Sequence, residues 1–238
     1  MDLMIRIYEK IEEEKDQSSD WSSLFLICDM KEQYIGIFGG SFNPPHRGHT
    51  DLALAILRDR PEIKEIWFMV AKQNPQKEPD PKVTFEDRYR MVTLACQGTG
   101  DPRLVPCDIE ASLESPFTCD TLQYLRDMWP ATDDRGMSQF ALIIGSDCYY
   151  NLNTWKNYHE ILRRHRVYVY DRPGSRLKNI NIHPDYSDMI FISPGTDVLR
   201  DISSTAIRSG EIYDLQGSLD PKVYDYAYKH DLYDWLPF

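Results

Sequence analysis

Beginning at Tyr34, short apolar runs alternate with stretches of helical period, and the alternation continues almost to the C-terminus. Strands are expected at 34–38, 65–71, 103–106, 140–144, 166–170 and 189–193. Helices are expected at 50–60, 85–97, 121–128, 158–163, 204–209 and 222–229. Thr84 with Asp87 three residues on has the pattern of a capping box at the start of the second helix. The strand stretches are near-continuous hydrophobes, as expected where both faces of a sheet are covered. Such a chain folds as α/β: a doubly wound, mostly parallel sheet with helices on both sides. Sheets of this kind bind ligands at the carboxyl ends of their strands, near a switch in strand order.

At 238 residues the chain holds one large domain or two small ones. No linker long enough to separate two domains follows residue 34, so 34–238 reads as a single domain. Residues 1–33 read as an extension of unknown role. Leu3, Ile7 and Ile11 share a helical face there, Glu12, Glu13 and Glu14 form an acidic run, and 17–20 is polar. A shorter chain starting at Met30 would also look complete. The net charge of −11 argues against a general nucleic-acid binder, although a local cluster of cations can still receive phosphate. The N-terminal stretch has no apolar run longer than 24–28, too short for a membrane span. Five scattered cysteines, none at metal-ligand spacing, suit a reducing cytoplasm.

The chemistry concentrates in 36–49, Gly-Ile-Phe-Gly-Gly-Ser-Phe-Asn-Pro-Pro-His-Arg-Gly-His. Gly39 and Gly40 follow an apolar strand, where bare backbone N–H groups can approach an anion. Pro44 and Pro45 stop the strand. His46 and His49, three apart and just before a helix, place two imidazoles on one side, near the positive end of its dipole. Together these form a site for a polyphosphate. The pattern is neither the dinucleotide fingerprint G-x-G-x-x-G nor a Walker A loop.

These residues resemble the nucleotidyltransferase superfamily marked by His-x-Gly-His, and more closely the nicotinate or nicotinamide mononucleotide adenylyltransferases. The bacterial nicotinate-type enzymes are most similar. A second signature of the superfamily is Ile-Ser-Ser-Thr-Ala-Ile-Arg at 202–208. Between the two lie Phe117-Thr118-Cys119-Asp120-Thr121-Leu122, Ile144-Gly145-Ser146-Asp147, Thr154-Trp155 and Arg172-Pro173-Gly174. The resemblance covers about residues 34–236 and implies a Rossmann-like nucleotidyltransferase fold. It also implies transfer of AMP from ATP to the 5′-phosphate of a pyridine mononucleotide, with release of pyrophosphate. That phosphate is already a good nucleophile, so the protein positions the reactants and neutralises charge.

By the same resemblance His46, His49 and Arg208 act on the ATP phosphates. Phe38, Gly39, Gly40, Ser41, Gly48, Asp147, Ser203, Ser204 and Thr205 line the ATP site. Asn43, Lys77, Thr118, Trp155 and Arg172 belong to the mononucleotide side, Trp155 stacking on the pyridine ring. Mg²⁺ is expected to arrive with ATP, without a protein cage. A homo-oligomer is compatible with the resemblance. Two departures leave the acid-versus-amide choice open. Ser41-Phe42-Asn43 stands where many nicotinate-type enzymes have Thr-Phe-Asp, and Lys156 follows Trp155 where relatives carry an aromatic or another residue. The same transfer to nicotinamide mononucleotide or another phosphorylated acceptor stays open as an alternative, as does a nucleotide-binding sensor without turnover. A nicotinamide-dependent oxidoreductase is disfavoured by the missing glycine fingerprint. The basic run 163–166 reads as a helix end rather than a nucleic-acid patch.

Overall fold

Six short runs, most of them rich in β-branched and aromatic residues, pair into one sheet, in the order β3-β2-β1-β4-β5-β6. They are β1 (Tyr34–Gly40), β2 (Ile63–Val70), β3 (Leu104–Cys107), β4 (Phe140–Gly145), β5 (Val167–Tyr170) and β6 (Met189–Ile192). All five pairings are parallel. The computed structural model describes residues 33–73, 81–130, 138–172, 177, 188–192, 202–212 and 214–235. Lys77, the 173–174 part of the Arg-Pro-Gly turn and the expected features of 1–32 lie outside the described residues.

The strand order reverses between β1 and β4, so the switch point lies beside the Gly39–Gly40 end of β1. Alternation along β1 sends Tyr34 and Phe38 to one face and Ile37 to the other. The first face packs on α1 (Arg47–Asp59), through Leu52, Ala53 and Ile56, and on Val92 of α2 (Phe85–Thr99). The second packs on α4 (Thr118–Met128), through Leu122 and Leu125, and on Ile161 and Leu162 of α6 (Tyr158–Arg164). A further cluster joins Met91 of α2 to Ile207 of α7 (Ser204–Arg208) and to Val223 and Ala227 of α9 (Pro221–Lys229). That cluster carries the second signature back over the first.

Four one-turn elements were not expected: α3 (Ile109–Ser112), α5 (Ser146–Tyr150), a 3-10 turn at Leu152–Thr154 and α8 (Leu215–Ser218). They are too short to display a period. Two helices begin three residues earlier than expected. α1 starts at Arg47 because His49 bonds back across its first turn, and α4 starts at Thr118, ahead of its first buried residue, Thr121. Gly39 and Gly40 belong to β1 rather than to the turn after it, because they still pair with Met69 and Val70. The capping box of α2 forms in both directions: the Asp87 N–H donates to Thr84 Oγ1 and the Thr84 N–H to Asp87 Oδ2, each at 3.1 Å.

Candidate active site

A cleft of about 1510 Å³ opens at the carboxyl ends of β1 and β4. The backbone of its floor turns sharply at Phe42, whose φ of 47° is a left-handed conformation rare for an aromatic residue. Packing holds it there. The buried Phe42 ring meets Phe38 edge-on at 5.9 Å and tilts against Phe68 at 5.5 Å. A Cβ on Gly40 would lie 3.0 Å from that ring, whereas one on Gly39 would meet nothing within 4 Å. Gly39 therefore presents bare backbone to the cleft, as close approach of a ligand requires.

The two imidazoles stack, with ring centroids 3.7 Å apart. His46 occupies the N-cap of α1, and its backbone N–H donates to His49 Nδ1 at 3.1 Å. In the neutral ring this bond puts the remaining proton of His49 on Nε2. His46 is only 5% exposed, and neither of its ring nitrogens has a hydrogen-bond partner. Leaving a buried polar group unpaired costs about 1–3 kcal/mol, a cost that a ligand can relieve. Gly48 makes room for this ring, since a Cβ there would lie 3.0 Å from His46 Nδ1. Burial, and then the charge of Arg172, lower the His46 pKa to about 3. Burial, His46 and Arg172 likewise hold His49 well below the usual imidazole range. Both rings are thus neutral donors at pH 7 in the free chain.

The second signature reaches the same place. Arg208 Nη1 donates to the carbonyl of Asn43 and, at 3.3 Å, to that of Ser204. The Ser204 hydroxyl donates to the Pro44 carbonyl at 2.8 Å, tying segments 160 positions apart. Ser203 accepts from the Ala206 N–H at 3.0 Å and so caps α7. These two hydroxyls therefore brace the site, while Thr205 is exposed on the cleft wall. The Asn43 side-chain oxygen accepts from Tyr233 at 2.5 Å, which fixes the loop from the far end of the chain.

Asp147 lies in the first turn of α5, whose N-cap is Gly145. Its Oδ2 accepts from Arg172 Nη1 at 2.6 Å, while Oδ1 is buried without a partner. Arg172 thus sits by Asp147 in the cleft that Trp155 also lines, with its charge felt at both imidazoles. Trp155 is half-buried; it packs partly on the core and still lines the cleft. Thr118 opens α4 on the same wall. Every expected site residue among those described lines this one cleft, from Phe38, Gly39, Gly40 and Ser41 to Arg208.

Arg88 and Glu110 went unread in the sequence. Buried Arg88 donates to the carbonyls of Ser41, Ala71 and Lys72 at 2.9, 2.7 and 3.1 Å. Its signal was an arginine three and four positions before Met91 and Val92, on the apolar face of a helix. Glu110 accepts from Thr121 at 2.9 Å and from the Lys72 N–H at 3.2 Å, and burial pushes its carboxyl up. The basic run is spent locally: Arg164 pairs with Glu160 at 2.7 Å, Arg166 with Asp188 at 3.1 Å, and buried His165 meets the Phe140 carbonyl at 2.9 Å.

The cytidylyltransferase-like family matches residues 37–210, a span that contains both signatures. A protein of Bacteroides thetaiotaomicron is 38% identical over 84% of this chain and 93% of its own length. One of Cytophaga hutchinsonii is 36% identical over 74% of this chain and 84% of its own. Both carry the name "Probable nicotinate-nucleotide adenylyltransferase". Among solved structures, Plasmodium falciparum nicotinic acid mononucleotide adenylyltransferase complexed with NaAD superposes with a TM-score of 0.70. It covers 86% of this chain and 98% of its own at 20% identity, a likeness of fold. The chain belongs to the cytidylyltransferase-like family and, within it, to the nicotinate-nucleotide adenylyltransferases.

Proposed function

We propose that this protein moves AMP from ATP to nicotinate mononucleotide, in the synthesis of NAD. An oxygen of the mononucleotide 5′-phosphate attacks the α-phosphorus of ATP. The bond from that phosphorus to the β-phosphate oxygen breaks, leaving nicotinate adenine dinucleotide and pyrophosphate. The observation that carries this reading is the meeting of the stacked imidazoles and Arg208 in one cleft. Neutral His46 and His49 donate ring N–H groups to phosphate oxygens, and the incoming negative charge favours their protonation. Arg208, already oriented by two carbonyls, adds a fixed positive charge where the leaving pyrophosphate gathers negative charge. Bare backbone at Gly39 and Gly40 admits the nucleotide, and the Arg172–Asp147 pair closes that flank. Trp155 offers a flat face to the pyridine ring, and the first-turn N–H groups of α4 at Thr118 suit its carboxylate.

Mg²⁺ travels with ATP as part of the substrate, held by phosphate oxygens and water. The unpartnered Oδ1 of Asp147 fits a supporting contact to that hydrated ion. Residues 34–238 carry the activity as one domain, with 1–33 as a separate extension. The thiols of Cys96, Cys107, Cys119 and Cys148 suit the reducing cytoplasm, and no described helix is long and apolar enough to cross a membrane.

The test is initial-rate release of pyrophosphate with ATP and each pyridine mononucleotide. Stoichiometric pyrophosphate and nicotinate adenine dinucleotide are expected. ATP binding without pyrophosphate release from either acceptor would instead mark a nucleotide sensor.

A further inference from the structure

We infer that Lys156 is a specificity-determining residue of the acceptor pocket: its ammonium masks Asp120 on the first turn of α4, so that this turn receives a pyridine carboxylate in preference to a carboxamide. The inference rests on the function proposed above and names the group that sets its acceptor.

Lys156 Nζ donates to Asp120 Oδ2 at 2.8 Å and lies 4.9 Å from the centroid of the Phe117 ring. Phe117 is the N-cap of α4 and supplies no side-chain capping bond. The N–H groups that open a helix have no partner within it, so this turn offers donors to an anion. Phe117, Thr118, Trp155 and Lys156 line the cleft together. The ammonium therefore stands at the wall proposed to receive the pyridine ring.

Asp120 favours the helix itself, but its carboxylate opposes a second anion at the same turn. The Ser115 hydroxyl donates to its Oδ2, and the Cys119 thiol to its Oδ1 at 3.4 Å. Lys156 first, and then these neutral partners, hold the Asp120 carboxyl below its usual range, the neutral ones without cancelling its charge. Lys156 is the partner that cancels it. The two side chains are 44% and 34% exposed, so their pairing adds little to folding. Its effect falls instead on whatever charge enters the cleft beside it. A nicotinate ring brings a negative charge there and a nicotinamide ring brings none, so the pair discriminates between two acceptors of nearly the same shape.

The test is a charge cycle of Lys156→Met, Asp120→Asn and the double variant in the full chain. Its readout is the ratio of kcat/KM for nicotinate over nicotinamide mononucleotide, with Kd values for both from titration calorimetry. The ratio is expected to fall about two- to fivefold in Lys156→Met and to rise in Asp120→Asn. It is expected to return towards the parent value in the double variant, which carries neither charge. Raised salt should shrink the Lys156→Met effect. A pair that merely braces the loop would slow both acceptors by one factor, and that unchanged ratio in an active variant would overturn the inference alone. A parent enzyme inactive with both mononucleotides would overturn the proposed function and this inference with it.

Discussion

His49 does two jobs with two ring atoms: Nδ1 accepts the His46 N–H and so closes the first turn of α1, which leaves Nε2 for the ligand. Replacing it with alanine removes both. Losing a capping bond costs about 1 kcal/mol, a modest loss for the fold. Losing a donor to the transition state costs two decades or more. His49→Ala is therefore expected to keep its far-ultraviolet circular dichroism and most of its melting temperature, with kcat lowered about a hundredfold or more. Near-parental turnover would contradict the assigned role. The imidazole pair was legible in the sequence because a spacing of three at a helix start forces neighbouring rings. Asn43 was not. Its side-chain partner, Tyr233, lies 190 positions away, and nothing local in the sequence announces such a bond.

At the scale of elements, β1 depends on how closely its neighbours can approach. A Cβ on Gly36 would lie 2.6 Å from Ile143 Cδ1 and 3.2 Å from Ile66 Cγ1, both inside the core. Gly36→Ala is expected to destabilise the protein by about 1–3 kcal/mol in urea unfolding, since overpacked cores must shift side chains off their rotamers. An unchanged midpoint would show slack between β1, β2 and β4 that the packing does not display. All six strands were legible to within two residues at each end, because long apolar runs flanked by helical patterns admit few other readings. Helix starts were less legible. Thr118, Cys119 and Asp120 precede the first buried residue of α4, so hydrophobic period alone begins that helix at Thr121. Arg88 escaped for the opposite reason. An arginine within a helix reads as solvated, yet this one turns inward to collect three carbonyls from the loops that frame the site.

For the whole molecule, buried imidazoles link stability to pH. His46 is lowered to about 3 and His165 to about 4, each chiefly by burial, and His49 is lowered as well. Below the ordinary imidazole value of about 6.5 the unfolded chain takes up protons that these folded sites refuse. Stability is thus fully present above pH 6.5 and falls as pH drops through 6 towards 4. Melting temperature is expected to decline across that window, and inorganic tripolyphosphate should offset part of the decline, because its charge makes protonated His46 and His49 acceptable. A flat profile between pH 7 and 5 would contradict the burial of these rings. The net charge of −11 revealed none of this, because it averages over a surface while the cleft gathers Arg172, Arg208 and two imidazoles at one edge of the sheet.

The most direct test is a crystal structure of the protein with a non-hydrolysable ATP analogue. One triphosphate should lie within hydrogen-bond distance, about 3 Å, of a ring nitrogen of His46 or His49 and of the Arg208 guanidinium at once. A triphosphate held by the imidazoles while Arg208 stays turned away, or bound elsewhere on the sheet, would contradict the account.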